Sequence, residues 1–176
     1  MKRISFLVAL LIVLASVIAS TAVKTGYATQ EAPALFVTSI PNGYRDWPLI
    51  SVANEEGTLK DIRAILGNDI AIKAYREGKL PFPEGTIIAR IAWSHDASEE
   101  NNKAFGRDQS FVAGAPKNGV QFMVKDSKKY AATGGWGFAH FDENTGKPAD
   151  EAVLKTCFAC HQAVKDRDLV FTRYSR

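Results

Sequence analysis

Short segments recur along the chain that are continuously apolar, rich in β-branched residues, or alternate between apolar and polar residues, and all three patterns are typical of β-strands. Turn-forming residues flank the first of them, with Pro41-Asn42-Gly43 before it and Glu55-Glu56-Gly57 after it. The predicted strands are 49–53, 59–66, 86–93, 120–124 and 136–141. The first two are expected to pair with each other because only a short turn joins them.

Helical spacing of apolar residues is found in fewer places. Residues 70–77 have it, and Gly78 is a typical residue to end such a helix. A single helical turn is predicted at 127–132, and Pro148-Ala149-Asp150 is typical of the start of a last helix.

Strands therefore outnumber helices, and the predicted fold class is α+β, mainly antiparallel sheet with a few helices and a C-terminal helix. Residues 94–118 are polar and rich in Asn, Asp and Gly, so we expect a long irregular loop that is either functional or mobile. Residues 168–172 are expected to return as an extended segment.

The N-terminus has the layout of a secretory signal peptide. Met1-Lys2-Arg3 is basic, residues 4–18 are apolar, and small residues follow. We expect cleavage after a signal peptide of residues 1–22, then a flexible segment over 23–34, and one domain over 35–176. An uncleaved membrane anchor is the alternative, although the apolar run is short for a ~30 Å hydrocarbon core. The mature protein is expected in the periplasm.

Charge adds little to this picture. The formal net charge is +3, and the 22 basic residues are scattered among 19 acidic ones, so no nucleic-acid interface is expected. A mildly basic surface is compatible with an acidic redox partner protein.

The strongest chemical signal is Cys157-Phe158-Ala159-Cys160-His161, which has the spacing that attaches a c-type haem. Each thiol is expected to bond one vinyl group, and His161 to bind the iron. The sequence predicts one covalent haem c per chain and no disulfide. A zinc site needs further nearby ligands, and a thioredoxin-like pair needs a βαβ unit, so neither alternative is favoured.

A six-coordinate iron would need a second axial ligand. The only candidates in the mature chain are Met123, His95 and His140. Met123 is expected to pack in the core, His95 to be exposed in the polar loop, and His140 to be an ordinary strand histidine.

The order and spacing of seven short motifs resemble the cytochrome P-460 family, which includes the cytochromes c′-beta. The motifs are Gly43-Tyr44-Arg45-Asp46-Trp47, Asp61-Ile62-Arg63, Phe82-Pro83-Glu84-Gly85-Thr86, Val124-Lys125-Asp126-Ser127, Gly134-Gly135-Trp136-Gly137-Phe138, the haem motif, and Asp168-Leu169-Val170-Phe171-Thr172. The resemblance implies a β-rich fold, a homodimer, and a five-coordinate haem whose distal side is open.

The resemblance also implies a choice between two activities. One branch oxidises hydroxylamine and has a lysine cross-linked to the porphyrin, whereas the c′-beta branch lacks the cross-link, lines the pocket with phenylalanines and binds nitric oxide. Arg90 stands at the position that matches this lysine. A guanidinium stays protonated and is a poor nucleophile, which favours the c′-beta branch.

The leading hypothesis is a haem protein that binds a small gaseous or nitrogenous ligand in an apolar pocket. The aromatic candidates for this pocket are Phe82, Trp93, Phe105 and Phe111. For the enzyme alternative, Asp150 and Glu151 are the candidate proton acceptors, with helix capping as their other interpretation. For plain electron transfer, the third alternative, Arg63 and Arg45 are candidates to pair with haem propionates.

Overall fold

The computed structural model describes residues 36–175, and its centre is one antiparallel sheet of five strands in the order β1-β2-β3-β4-β5. The strands are β1 (Leu49–Glu55), β2 (Asp61–Gly67), β3 (Ile87–Ala97), β4 (Phe111–Lys125) and β5 (Trp136–Phe141). The helices are α1 (Asp69–Glu77), α2 (Glu99–Phe105) and α3 (Glu151–His161). The predicted α+β class with a C-terminal helix is confirmed.

Helix α1 begins and ends at residues that are typical of helix ends, and its end at Gly78 is the one the sequence predicts. The Asn68 side chain accepts a hydrogen bond from the Ala71 amide and caps the first turn, while Gly78 adopts a left-handed conformation at the other end. Ala71, Ile72 and Ala74 are buried against the sheet. The helix is therefore held by its caps and by one apolar face.

The prediction of an irregular loop over 94–118 is wrong. Strand β3 continues to Ala97, and β4 begins at Phe111, pairing with it across two irregularities. Between them, Ser98 caps α2 and Gly106 ends it. The polar residues that suggested a loop are helix caps and the side chains of a hairpin that is mostly exposed on both faces.

Two other predictions need correction in detail. The helical turn at 127–132 is a turn followed by a short 3₁₀ helix, Ala131–Thr133. The segment at 168–172 does not begin extended, because Asp168 and Leu169 both have positive φ, 53° and 66°. This left-handed pair changes the direction of the chain directly after Gln162–Arg167, a 3₁₀ segment that follows α3.

Each face of the sheet is covered by its own apolar cluster. Paired residues of antiparallel strands point to the same face, so Met123 and Phe138 share one face and Phe122 and Ala139 share the other. The first face is covered by α1, α3 and the C-terminal tail, and the second by Val37, Ile40, Tyr44, Trp47 and Tyr130. The sheet therefore lies between two apolar clusters.

The predicted signal peptide and the flexible segment over 23–34 lie outside the described residues. None of the helices within residues 36–175 is long and apolar enough to cross a membrane.

Candidate functional site

Helix α3 brings the three residues of the haem motif to its C-terminal end. Cys157 and Cys160 lie about one helical turn apart, since a turn takes 3.6 residues, and both are free thiols. Cys157 is half-buried against the apolar cluster and Cys160 is exposed. Burial raises the pKa of the Cys157 thiol.

His161 is held in a defined orientation. Its Nδ1 lies 2.6 Å from the carbonyl oxygen of Leu169, and its ring packs between Phe138, at 5.0 Å, and Phe171, at 5.1 Å. A carbonyl only accepts, so Nδ1 carries the proton and Nε2 keeps its lone pair. Burial lowers the pKa of His161, which the bond to Leu169 opposes. The neutral imidazole therefore presents Nε2 to a metal.

The sheet face under His161 changes from apolar to polar along the strands. Phe138 and His140 lie on this face of β5, and His140 pairs with Gln121, which in turn pairs with Arg90. Two strand spacings of about 4.8 Å put Arg90 about 10 Å across the sheet from His140. Phe138 and Arg90 thus belong to one continuous surface.

A buried carboxylate organises the polar half of this face. Asp61 is fully buried, with 0% of its surface exposed. It accepts two hydrogen bonds from Arg63, at 2.8 and 2.9 Å, one from Arg90 at 3.1 Å and one from Asn118 at 3.0 Å. Arg63 also pairs with Glu55 at 3.3 Å. The carboxylate is satisfied, and it fixes both guanidinium groups.

Arg90 has N–H donors for which the described part of the chain supplies no acceptor. Its Nε and Nη1 are buried, and neither has a partner among the described residues. Burial, together with the charge of Arg63, lowers the pKa of Arg90, and Asp61 opposes this effect. Buried N–H donors without an acceptor are costly, so this site is suited to an anionic or polar group that is not part of the chain.

The structure does not bring the two predicted acids to the haem motif. Asp150 is the N-cap of α3 without a side-chain capping bond, and Glu151 pairs with Lys155 at 2.8 Å in an exposed position. Ten residues of helix, each rising 1.5 Å, place Glu151 about 15 Å from His161 along the axis.

The predicted pocket aromatics are spread over the molecule. Phe82 is buried in the cluster that Cys157 and Phe158 contact, whereas Trp93 packs on the opposite sheet face. Phe105 and Phe111 are exposed near the turn of the long hairpin. The rings that do surround His161 are Phe138 and Phe171.

The candidate second ligands of the iron and Arg45 also lie in different parts of the fold. Met123 is buried in the first cluster, and His95 stacks on Phe111 with ring centroids 4.3 Å apart. His140 is half-buried on the face of Phe138, where burial lowers its pKa despite the nearby Asn118 backbone. Arg45 lies over the Tyr44 ring and pairs with Glu143, beside the other face of the sheet.

The alternatives for the cysteines gain no support. Within residues 36–175, no group of three or more His, Cys, Asp or Glu side chains is placed to hold a metal ion. The strands are antiparallel, and the cysteines lie at the end of a helix rather than at its start.

Two contacts of the site were not predicted from the sequence. The Leu169 contact is made by a backbone carbonyl, which no residue type in the sequence indicates. Phe171 belongs to a motif that contributed to the family resemblance but indicated no contact with His161. The donor set nevertheless fits a c-type haem: two free thiols one turn apart, a histidine with Nε2 available, and a buried arginine with unused donors.

The comparisons with known proteins agree with this fit. A family model described as Cytochrome P460 matches residues 41–172. No curated protein matches the chain.

Proposed function

The chain belongs to the cytochrome P460 family, and from this premise we propose that it binds one haem c covalently through Cys157 and Cys160. His161 is the only protein ligand of the iron in this proposal. The opposite face is then open to a small molecule such as nitric oxide.

One observation carries the proposal, namely the hydrogen bond between Nδ1 of His161 and the carbonyl of Leu169. It fixes the tautomer in which Nε2 is unprotonated, and a histidine that binds a metal through Nε2 needs this tautomer. The haem, when bound, supplies an iron that binds diatomic molecules. Phe138 and Phe171 contact the ring of His161 and limit its rotation.

The candidates for a second protein ligand support an open face. Met123 is buried in the core, and His95 is stacked on Phe111 in the long hairpin. His140 lies on the same sheet face as Phe138 and is only half-buried, so it remains a candidate. Without a second protein ligand, an iron held by His161 would be free to bind a neutral diatomic.

Arg90 and Arg63 are proposed to bind an edge of the cofactor. A haem has two carboxylate side chains, and the N–H donors of a guanidinium form strong hydrogen bonds to carboxylates. The unused Nε and Nη1 of Arg90 provide such donors, while Asp61 orients both arginines.

Arg90 also bears on the choice between the two activities of the family. A lysine that cross-links to the porphyrin must lose its proton to attack, and a guanidinium that is paired with a buried carboxylate keeps its proton. We therefore favour ligand binding over hydroxylamine oxidation. The proposed location is the periplasm, because c-type haem attachment and the N-terminal signal pattern agree. The proposed assembly is a homodimer.

Electron transfer is the second candidate function, and His140 is the observation that favours it. Its ring is half-buried and its lowered pKa keeps it neutral, as a metal ligand must be. With His140 bound, the iron would be six-coordinate and closed to nitric oxide.

The optical spectrum of the ferrous protein, before and after nitric oxide is added, separates these functions. The proposal predicts a five-coordinate haem c spectrum that shifts with nitric oxide, and no oxidation of hydroxylamine with an electron acceptor. His161→Ala is expected to abolish this spectrum, whereas the matched control His95→Ala leaves it unchanged.

Three results would contradict the proposal. A Soret band far to the red with hydroxylamine turnover would indicate a cross-linked enzyme. A six-coordinate spectrum that does not change when nitric oxide is added would indicate electron transfer, provided that the His140→Ala variant shows a five-coordinate spectrum. A protein without haem would exclude all three functions.

A further inference from the structure

The carbonyl that orients His161 belongs to a strained turn. Asp168 and Leu169 both adopt left-handed conformations, and Leu169 is a bulky residue that rarely adopts this conformation. The strain places the Leu169 carbonyl 2.6 Å from Nδ1 of His161. A strained conformation persists only where the surroundings hold it.

A buried ion pair holds this turn. The carboxylate of Asp168 accepts from Nζ of Lys125, at 2.8 and 3.0 Å, and from the amide of Phe82, at 2.8 Å. Only 6% of the Lys125 side chain and 12% of the Asp168 side chain are exposed. The turn is thereby attached to β4 and to the loop before β3.

The remaining contacts of Lys125 strengthen the same attachment. Its Nζ also donates to the carbonyl of Gly134 at 3.2 Å and lies 5.0 Å from the centre of the Trp136 ring. Gly134 leaves room for the Leu169 side chain, because a Cβ at position 134 would lie only 2.9 Å from Cδ1 of Leu169. The ammonium therefore joins the 134–136 region to the residues that follow the haem motif.

We propose that Lys125 and Asp168 are positioning residues that hold the Leu169 carbonyl against His161 and so set the strength of the hydrogen bond on the axial ligand. Neither residue touches the cofactor in this role. The inference rests on the proposed function, since it takes His161 as the ligand of the iron.

The physical consequence lies in the basicity of His161. A strong acceptor on Nδ1–H makes Nε2 a better electron donor, which strengthens the iron–histidine bond and favours the oxidised iron. Loss of the ion pair lets the turn relax and weakens the Nδ1 bond. The iron–histidine bond then weakens, and reduction becomes easier.

The test compares the purified haem-containing wild type with Lys125→Met/Asp168→Asn. The double variant removes both charges together, because a single buried charge left without its partner is strongly destabilising. We expect the iron–histidine stretching band in resonance Raman spectra of the ferrous protein to move to lower frequency, and the reduction potential to become more positive. Lys125→Leu/Asp168→Asn, which also leaves neither charge alone and keeps an acceptor for the Phe82 amide, is expected to shift both in the same direction.

Lys155→Met is the matched control. It makes the same substitution on the haem helix but breaks an exposed pair with Glu151, so the band and the potential are expected to stay at their wild-type values. Unchanged values in both folded Asp168 variants would overturn the positioning role while leaving the proposed function intact. A wild-type protein without an iron–histidine band would overturn the proposed function, and this inference with it.

Discussion

Tyr75 shows how a single buried group links stability to pH. Its hydroxyl donates to the Thr172 carbonyl at 3.3 Å, and its ring packs against Phe82 and Tyr174. Burial raises the pKa of Tyr75 above its ordinary value, an effect that the charge of Arg167 opposes. The folded protein therefore keeps this proton at a pH where the unfolded chain has lost it.

The sign of the effect follows from proton linkage. Below pH ~10, the ordinary pKa of tyrosine, both states are protonated and the contribution to stability is complete. As the pH rises above this value, the unfolded chain releases its proton first, so the free energy of unfolding falls. We predict this fall in urea denaturation between about pH 9 and pH 11, the range that surrounds the ordinary tyrosine pKa of about 10.

Tyr75→Phe keeps the ring but has no proton to release. Its free energy of unfolding is expected to fall less steeply over the same pH range, although it is lower at neutral pH by the loss of one hydrogen bond, about 1 kcal/mol. Equal slopes for the wild type and the variant would show that Tyr75 is not the group responsible.

At the scale of elements, Asn68 joins α1 to the start of β3. Its Oδ1 accepts from the amides of Ala71 and Ile87, at 3.0 and 3.1 Å, and its Nδ2 donates to the carbonyl of Gly85 at 2.8 Å. Asn68→Ala removes the helix cap and leaves two further backbone groups without this partner. We expect a loss of about 2 kcal/mol in the free energy of unfolding.

Asn68→Asp is the matched control for this prediction. Aspartate keeps the acceptor for both amides, and its charge is favourable at a helix N-terminus. We expect this to outweigh the contact of its second oxygen with the Gly85 carbonyl, so its loss is expected to be the smaller one. Both values are measured by chemical denaturation. An alanine variant that is as stable as the wild type would contradict the linking role of Asn68.

The elements differ in how far they are predictable from the sequence. The α1 helix and β5 are predicted because local signals, a cap and an alternating aromatic pattern, agree with the tertiary contacts. The hairpin of β3 and β4 is missed beyond Trp93 because neither of its faces is continuously apolar there, so the two-residue period is absent. Helix α2, seven residues long, is equally hidden by its polar composition.

At the scale of the whole molecule, the candidate site combines one local motif with several distant groups. The thiols and His161 are predictable because covalent haem attachment requires their spacing along one helix. The Leu169 carbonyl is not, because a backbone acceptor has no sequence signature and leucine rarely adopts a left-handed conformation. The alignment of Phe138, Gln121 and Arg90 on one face depends on strand register, which only the folded sheet defines.

The account as a whole depends on one covalent cofactor in an exported chain. Intact mass of the protein purified from the periplasm, measured under denaturing conditions, tests this most directly. We predict the mass of a chain that lacks residues 1–22 and carries one haem, and the bare mature chain for Cys157→Ala/Cys160→Ala. A wild-type protein that has the mass of the chain alone would contradict the account.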